Sequence, residues 1–396
     1  MMLRIALLAM TTIAVVSDTM LLPYYPQLFV VRFGISSPVT VGAYLASISL
    51  AVMLAFPAWV AIARRHDTIA VLIWTQLAAA GFSVACYMAT DIASFWVSSI
   101  VMVCFKASYL LMYPYVIAMQ PVDKHAATIG ALAVIVHFGG IVGAVSGGHV
   151  VGSWGYALPY VVMGLGDIIQ AGICAVLLKT ASVARARQSS AEDTKSIVAV
   201  TREDKKSFAS LLIVMFFFYF GFYMSMPFMT VWWQSVAGGT SPDLAGIVYA
   251  IPGFVALAIL AHGFWRGGGN QVWRRNEIGL VLTGVGLAIQ AVPDQACIIT
   301  GRIIYGIGLY RVTIGLDALF FERAQKAHYA SGFSLLNIAR NSGVMLAALV
   351  SGVLSQRFGE GVSFAVAAIV VLATLFLYRV TLRPNLGSAG TRPQLA

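Results

Sequence analysis

Lys106 and Arg302 each stand inside a long apolar segment, 196 residues apart, and each is followed three positions on by a tyrosine, in Lys106-Ala-Ser-Tyr109 and Arg302-Ile-Ile-Tyr305. Residues three apart on a helix share a face. Such a face offers a cation to an anionic group and a phenol for hydrogen bonding or ring stacking, and Tyr113 extends the first of them. Asp18 supplies the opposite charge. It lies about thirteen residues into the first apolar segment, near 20 Å along a helix that rises 1.5 Å per residue, close to mid-depth of a membrane. A carboxylate there can load and release protons, or it can be paired permanently to a buried cation. An ionised side chain near the bilayer centre costs roughly 2.5–3.5 kcal/mol on the insertion scale, so it needs a partner or a task.

Further polar residues follow helical spacing. Ser334, Asn337, Arg340 and Asn341 form a stripe on an otherwise apolar segment, and that stripe must face protein or water rather than lipid. Arg311, nine residues after Arg302, points to the other side of its helix, where a structural pairing with Asp167 or Asp317 competes with a functional role. His137 is near mid-depth and His149 near a helix end; neither has a metal-ligand spacing. His137 is a candidate for proton exchange. Within the aromatic run Phe216–Pro227, the residues Tyr219, Tyr223 and Met226 share a face that can line an apolar wall, and Pro227 supplies a break. The chain has no Walker A motif and no nucleophile or metal cluster, so no enzyme activity, cofactor or metal is expected.

The elements that must position these residues are membrane helices. Hydrophobic residues make up 60% of the chain and charged residues 10%, against about a quarter charged in a soluble domain. Stretches long enough to cross a bilayer, about 20 apolar residues each, fall at roughly 5–31, 38–63, 69–89, 92–118, 127–151, 156–178, 208–234, 243–265, 277–292, 296–320, 329–355 and 362–382. The first is too long for the apolar core of a signal peptide and contains Asp18, Pro23 and Pro26, so it is expected to stay in the mature protein. With both termini cytoplasmic, only Arg32 and Arg357 of the 25 Lys and Arg fall outside and four lie within spans, which is the positive-inside distribution. The net charge of +10 reflects that bias and does not indicate nucleic acid. Cys86, Cys104, Cys174 and Cys297 fall inside spans without paired spacing, so no disulfide framework is expected.

A basic, Ser-rich linker over 179–207 separates an N-terminal six-span bundle, 1–178, from a C-terminal one, 208–382, with a cytoplasmic tail over 383–396. Weak correspondences join the halves: Lys106 with Arg302, Pro57 with Pro252 at an offset of 195, and Gly139, Gly147 and Gly148 with Gly343, Ser351 and Gly352 at 204. Parallel repeats of this kind are a transporter architecture.

Several motifs resemble the major facilitator superfamily, and within it the twelve-span drug:proton antiporter and siderophore exporter group. Asp18-Thr-Met-Leu-Leu-Pro23-Tyr-Tyr-Pro26 is similar to the Pro-x-x-Pro ending of that group's first helix. Lys106 stands where the family usually has arginine, and Arg302-Ile-Ile-Tyr-Gly306-Ile-Gly308 is closer to the family's Arg-x-x-x-Gly. Gly139-Gly-Ile-Val-Gly143-Ala144-Val-Ser-Gly147-Gly148 resembles the antiporter motif with its proline replaced by Ala144; the same glycines also let two helices approach closely. The family's Gly-x-x-x-Asp-x-x-Gly-Arg-Arg loop reads Ala61-Ile-Ala-Arg64-Arg65-His66-Asp67 here, without the glycines and with the acid displaced. Asp317, Glu322 and Arg323 are candidates for a substitute ion-pair network.

The resemblance implies an all-α membrane protein of twelve helices in two repeats, a monomer of the plasma (inner) membrane whose partners are a small-molecule substrate, protons and lipid. The expected function is proton-coupled export of a small anionic or zwitterionic molecule, because buried cations outnumber Asp18, Asp167 and Asp317. Multidrug efflux of hydrophobic compounds and proton-coupled uptake of a small acid are the alternatives. Asp18 and His137 are the expected proton-coupling residues. Lys106, Tyr109, Tyr219, Tyr223, Arg302, Tyr305, Asn337, Arg340 and Asn341 are the expected substrate contacts. Pro23, Pro26, Gly139, Gly143, Gly147, Gly148, Arg311 and Asp317 are assigned to gating or structure.

Overall fold

A computed structural model describes residues 2–112, 115, 125–180, 202–265, 276–323 and 329–382, with some side chains near the edges of these segments outside the description. The chain is all-helical, and its helices fall into the twelve spans expected from hydropathy. Among the described residues nine helices are long and apolar enough to cross a membrane. The ninth span, Asn276–Gln290, is shorter, and the first is broken.

That break follows from proline. Span one runs as Met2–Thr19 and Tyr25–Phe33 with a tight turn at Leu22–Tyr24 between them. Pro23 cannot donate to a helical ladder, whereas Pro26 sits in the first turn of the second piece, where its missing N–H costs nothing. Span four is α-helical over Ile92–Lys106 and tightens to a 3-10 helix over Ala107–Leu111, so its geometry changes at the buried lysine. Span seven is divided into Arg202–Met224 and Met229–Val236 around Pro227. Span two (Pro38–Ala63) is followed by the displaced acid of the loop motif, Asp67, which caps span three (Thr68–Met88) by accepting from the Ile69 and Ala70 N–H at 2.8 and 3.1 Å. Asp91 caps span four in the same way, and the Ser94 backbone N–H holds its carboxyl below the usual range.

Helix packing repeats between the halves. Spans one and five, one and six, two and four, three and four, and three and six pack together in the first half. In the second, seven and eleven, seven and twelve, eight and ten, nine and ten, and nine and twelve do so. Each of these five contacts reappears six spans later, as duplication requires. Across the halves the extensive contacts are two with eleven and five with eight, again exchanged by the repeat. One core gathers Tyr24, Phe29, Tyr44, Phe95 and Tyr160, and another Met215, Phe218, Trp233, Tyr305 and Phe364. The outer faces carry exposed Trp74, Val97, Ile369 and Phe376, the lipid-facing surface of a membrane helix bundle.

Candidate functional site

Lys106 is the centre of a three-residue site. Its Nζ lies 2.7 Å from Asp18 Oδ1 of span one and 2.6 Å from Asp167 Oδ1 of span six (Leu158–Thr180). Lys106 and Asp167 are buried, whereas the Asp18 side chain is 27% exposed. Asp18 therefore meets Lys106 as the sequence allowed, but Lys106 is shared with a second acid. The sequence offers Asp167 as one of two structural partners for Arg311, beside a functional role for that arginine. Asp317, the other candidate, pairs with Arg340 instead, so among the described residues Arg311 of span ten has neither acid. It lies on the face packed on Gly279 of span nine.

Arg302 holds a different role from Lys106. In span eight, Pro242–Trp265, Pro252 lies inside the helix, and the carbonyl four residues before a proline has no helical N–H to accept. That carbonyl belongs to Val248, and Arg302 Nε of span ten (Gln295–Arg323) donates to it at 3.2 Å while Nη2 donates to the Tyr249 carbonyl. The guanidinium is fully enclosed, over the rings of Tyr249 and Tyr305 at 5.4 and 5.8 Å. Tyr305 is also enclosed and stacks on Phe222 at 6.3 Å. The pair expected to line a cavity is enclosed in the second half, where Arg302 donates to the carbonyl that Pro252 leaves without its helical partner.

Arg340, like the half-buried Arg311, is a cation of the second half that remains near a partly open surface. It pairs with Asp317, and its guanidinium lies 5.1 Å from the Tyr219 ring. Its side chain is 13% exposed and that of Asp317 25%. Asn341 Nδ2 donates to the Asn337 carbonyl at 2.9 Å, and both asparagines are half-buried, Asn341 next to Arg340 and Asn337 about one turn before it. From the stripe on span eleven (Tyr329–Phe358), Arg340 thus reaches Asp317 of span ten, whereas the Asn341 bond stays within its own helix. Tyr109 is half-buried in the 3-10 stretch after Lys106, and Tyr223 packs between the two cores. The side chains of His137, Ser334, Glu322 and Arg323, and all of Tyr113, lie outside the described residues.

Span five (His125–Trp154) lies against span one through its glycines. A Cβ at Gly139 would come within 2.8 Å of Val15, one at Gly143 would strike Thr19 and the Val16 carbonyl, and one at Gly147 would strike Met20. Gly148 instead lets Tyr24 Oη reach both Ala144 and Pro242 carbonyls, at 3.2 and 3.1 Å.

Those last bonds belong to a seal between the halves. Gln27 donates to Thr230 and Gln234 at 2.9 and 3.1 Å, and Thr230 donates to the Pro23 carbonyl. Ser37 donates to Gln356 at 2.9 Å, and His149 meets Asp243 at 3.2 Å. All of these residues lie at the bundle end opposite the 180–202 connection, here called the distal end. Among the described residues the hydrogen bonds between halves are confined to it. The sequence singled out Pro23, Pro26 and Gly148 there but missed Tyr24, Gln27, Thr230 and Gln356, whose pairing across more than 200 residues leaves no local signal.

The Major Facilitator Superfamily model matches residues 7–275. The chain belongs to that superfamily. Twelve helices in this arrangement are its fold, and it is a family of secondary transporters rather than of enzymes. "Uncharacterized transporter YclF" of Bacillus subtilis (strain 168) is 32% identical over 89 residues, 22% of this chain and 18% of that protein. This superfamily member therefore aligns with under a fifth of that relative's length. Among solved structures, a bacterial homolog of the human lysosomal transporter Spinster, inward-facing and occupied, superposes with a TM-score of 0.76 at 16% identity over 96% of each chain. A POT family transporter in complex with 5-aminolevulinic acid superposes with a TM-score of 0.73 at 12% identity, over 96% of this chain and 95% of the other. At such identities the likeness is one of fold.

Proposed function

We propose that this transporter exchanges protons for a small zwitterionic or anionic organic molecule and works as an exporter of the inner membrane, with carboxylate siderophores as the chemical model. The observation that carries the reading is Lys106 between Asp18 and Asp167 at 2.7 and 2.6 Å, with only Asp18 partly open. One ammonium between two carboxylates leaves a negative charge that either a proton or a cationic group neutralises. Binding of one is therefore linked to release of the other. In the second half Arg340, its partner Asp317 and the Tyr219 ring offer the counterpart, a cation able to exchange its acid for a substrate carboxylate.

A zwitterion suits this pair of poles better than a plain anion. The excess of positive charge that favoured anions is reduced, because Lys106 and Arg340 are already paired and Arg302 is enclosed. The bound 5-aminolevulinic acid of the POT family relative, which carries an amine and a carboxylate, supports the choice. Export follows the resemblance to the drug:proton antiporters. With both termini cytoplasmic, the sealed distal end faces outward and the substrate site is reached from the cytoplasm.

Inside-out vesicles with an acidified lumen test the reading. A matched set of amino acid, plain acid and amide is offered together with a hydrophobic dye. Accumulation of the zwitterion, lost when the pH gradient is collapsed, is the expected result. Accumulation of the dye in its place would make hydrophobic efflux the correct function.

A further inference from the structure

The two acids on Lys106 are not equivalent. Asp18 is 27% exposed and Asp167 1%. Lys106 occupies Asp167 Oδ1, whereas Asp167 Oδ2 is enclosed without a hydrogen-bond partner among the described residues. One helical turn further along span six, Gln170 Oε1 is enclosed and equally without a partner. Ile168 and Ile169 between them are 51% and 52% exposed, so Asp167 and Gln170 share the inward face of that helix. Two buried acceptor oxygens on adjacent turns cannot satisfy each other. A hydrogen on Asp167 Oδ2 makes it a donor, and Gln170 Oε1, one turn away on the same face, is an acceptor open to it.

The charges around the site ask for the same hydrogen. Span four contributes Lys106 and span one Asp18. Span three, packed along span six, contributes the neutral Gln76 and Ser83, both buried. With both acids ionised the enclosed site carries an uncompensated negative charge, which burial disfavours; with a proton on one of them it is neutral. The open acid can be stabilised by water and the closed one cannot.

We propose that Asp167, rather than Asp18, holds the proton of this site, with Gln170 as the positioning residue that accepts its O–H. Asp18 then remains the ionised acid presented to water and to a cationic group of the substrate. When such a group engages Asp18, the site gains a positive charge and the proton passes from Asp167 Oδ2 to water reaching the site on its partly open Asp18 side, the bonding electron pair staying on the carboxylate, so that Lys106 is balanced by Asp167 alone. The inference rests on the proton-coupled reading and differs from it in the acid that stores the proton.

Infrared spectroscopy of the purified full chain in lipid nanodiscs at neutral pH tests it without a substrate. The wild type should show the C=O stretch of a protonated, enclosed carboxyl. Asp167→Glu should shift that band, Asp18→Glu should leave it in place, and Gln170→Leu should shift it by removing the acceptor. Absence of the band from the wild type overturns the proposal, as expected if the Gln170 amide turns to donate to an ionised Asp167. A band shifted by Asp18→Glu and unmoved by Asp167→Glu overturns it as well, and a band unmoved by Gln170→Leu removes Gln170 from it. The wild-type result does not depend on variant folding. A vesicle preparation that shows the band but no pH-driven transport would refute the transport reading and leave the proton on Asp167.

Discussion

Arg302 is expected to act through Pro252, and a double-mutant cycle measures this directly. Arg302→Met removes the guanidinium and leaves the Val248 carbonyl, held at 3.2 Å by Nε, without a partner inside the protein. An enclosed carbonyl left unpaired costs about 1–3 kcal/mol. Loss of the ring contacts with Tyr249 and Tyr305 adds to the total. In a Pro252→Ala background the backbone N–H at 252 returns and takes the Val248 carbonyl in the ordinary helical bond. The carbonyl part of the Arg302→Met cost then disappears, while the ring contacts are lost in both backgrounds alike. The difference between the backgrounds should therefore be about 1–3 kcal/mol, within the usual size of coupling between residues in contact. Urea or SDS unfolding of the four purified proteins in one detergent gives the four free energies. Equal losses in both backgrounds would refute the link to the proline. A loss of transport with unchanged stability would return Arg302 to the substrate contacts.

Asp18→Asn should fold, pair Lys106 with Asp167 alone and abolish accumulation of the zwitterion against a gradient in inside-out vesicles; full pH-driven accumulation by that variant would remove Asp18 from the coupling. Gly143→Ala should cost about 1–3 kcal/mol by overpacking, since the new methyl would strike Thr19 and the Val16 carbonyl; thermal unfolding equal to wild type would mean that spans one and five separate freely. Tyr24→Phe deletes the hydroxyl that bridges the Ala144 and Pro242 carbonyls. At about 1 kcal/mol for such bonds, the distal end should open about fivefold more often. The check is the maleimide labelling rate of Ser225→Cys in a background without the four native cysteines, from the distal side. An unchanged rate would show that the seal is held elsewhere.

Depth was legible in the sequence, but direction around each helix was not. Hydropathy placed Asp18, Lys106, Arg302 and Arg340 within the membrane, because the cost of a buried charge makes each one conspicuous in an apolar run. The helical spans followed for the same reason, and the break at Pro227 was read from its proline, whereas the span holding Pro23 was taken as one piece. Which acid each cation meets depends on tertiary packing, and the 61 residues between Lys106 and Asp167 carry no periodic trace of it. A signal was nevertheless present. The first half has one cation within its spans, Lys106, and two acids, Asp18 and Asp167, so counting charges by half rather than over the whole chain puts both acids on one lysine. Offering Asp167 as one of two partners for Arg311 crossed the halves without need.

The pair that announced the duplication, Lys106 and Arg302, shows how a repeat position can keep its place and change its task. Each half also retains a proline inside the second helix of its repeat, Pro57 and Pro252. In the second half the arginine, whose planar fork presents several donors in fixed directions, reaches the carbonyl that Pro252 frees and a neighbouring one as well. In the first half the residue is a lysine, a compact charge with three rotatable donors, and it sits at the point where span four tightens from α to 3-10 helix. Such a group is poorly matched to two adjacent carbonyls and well matched to two carboxylates arriving from different helices. The substitution of lysine for the family's usual arginine is therefore the chemical difference on which the asymmetry between the halves depends: one buried cation braces a helix with a proline inside it, and the other holds two acids, one of them within reach of water.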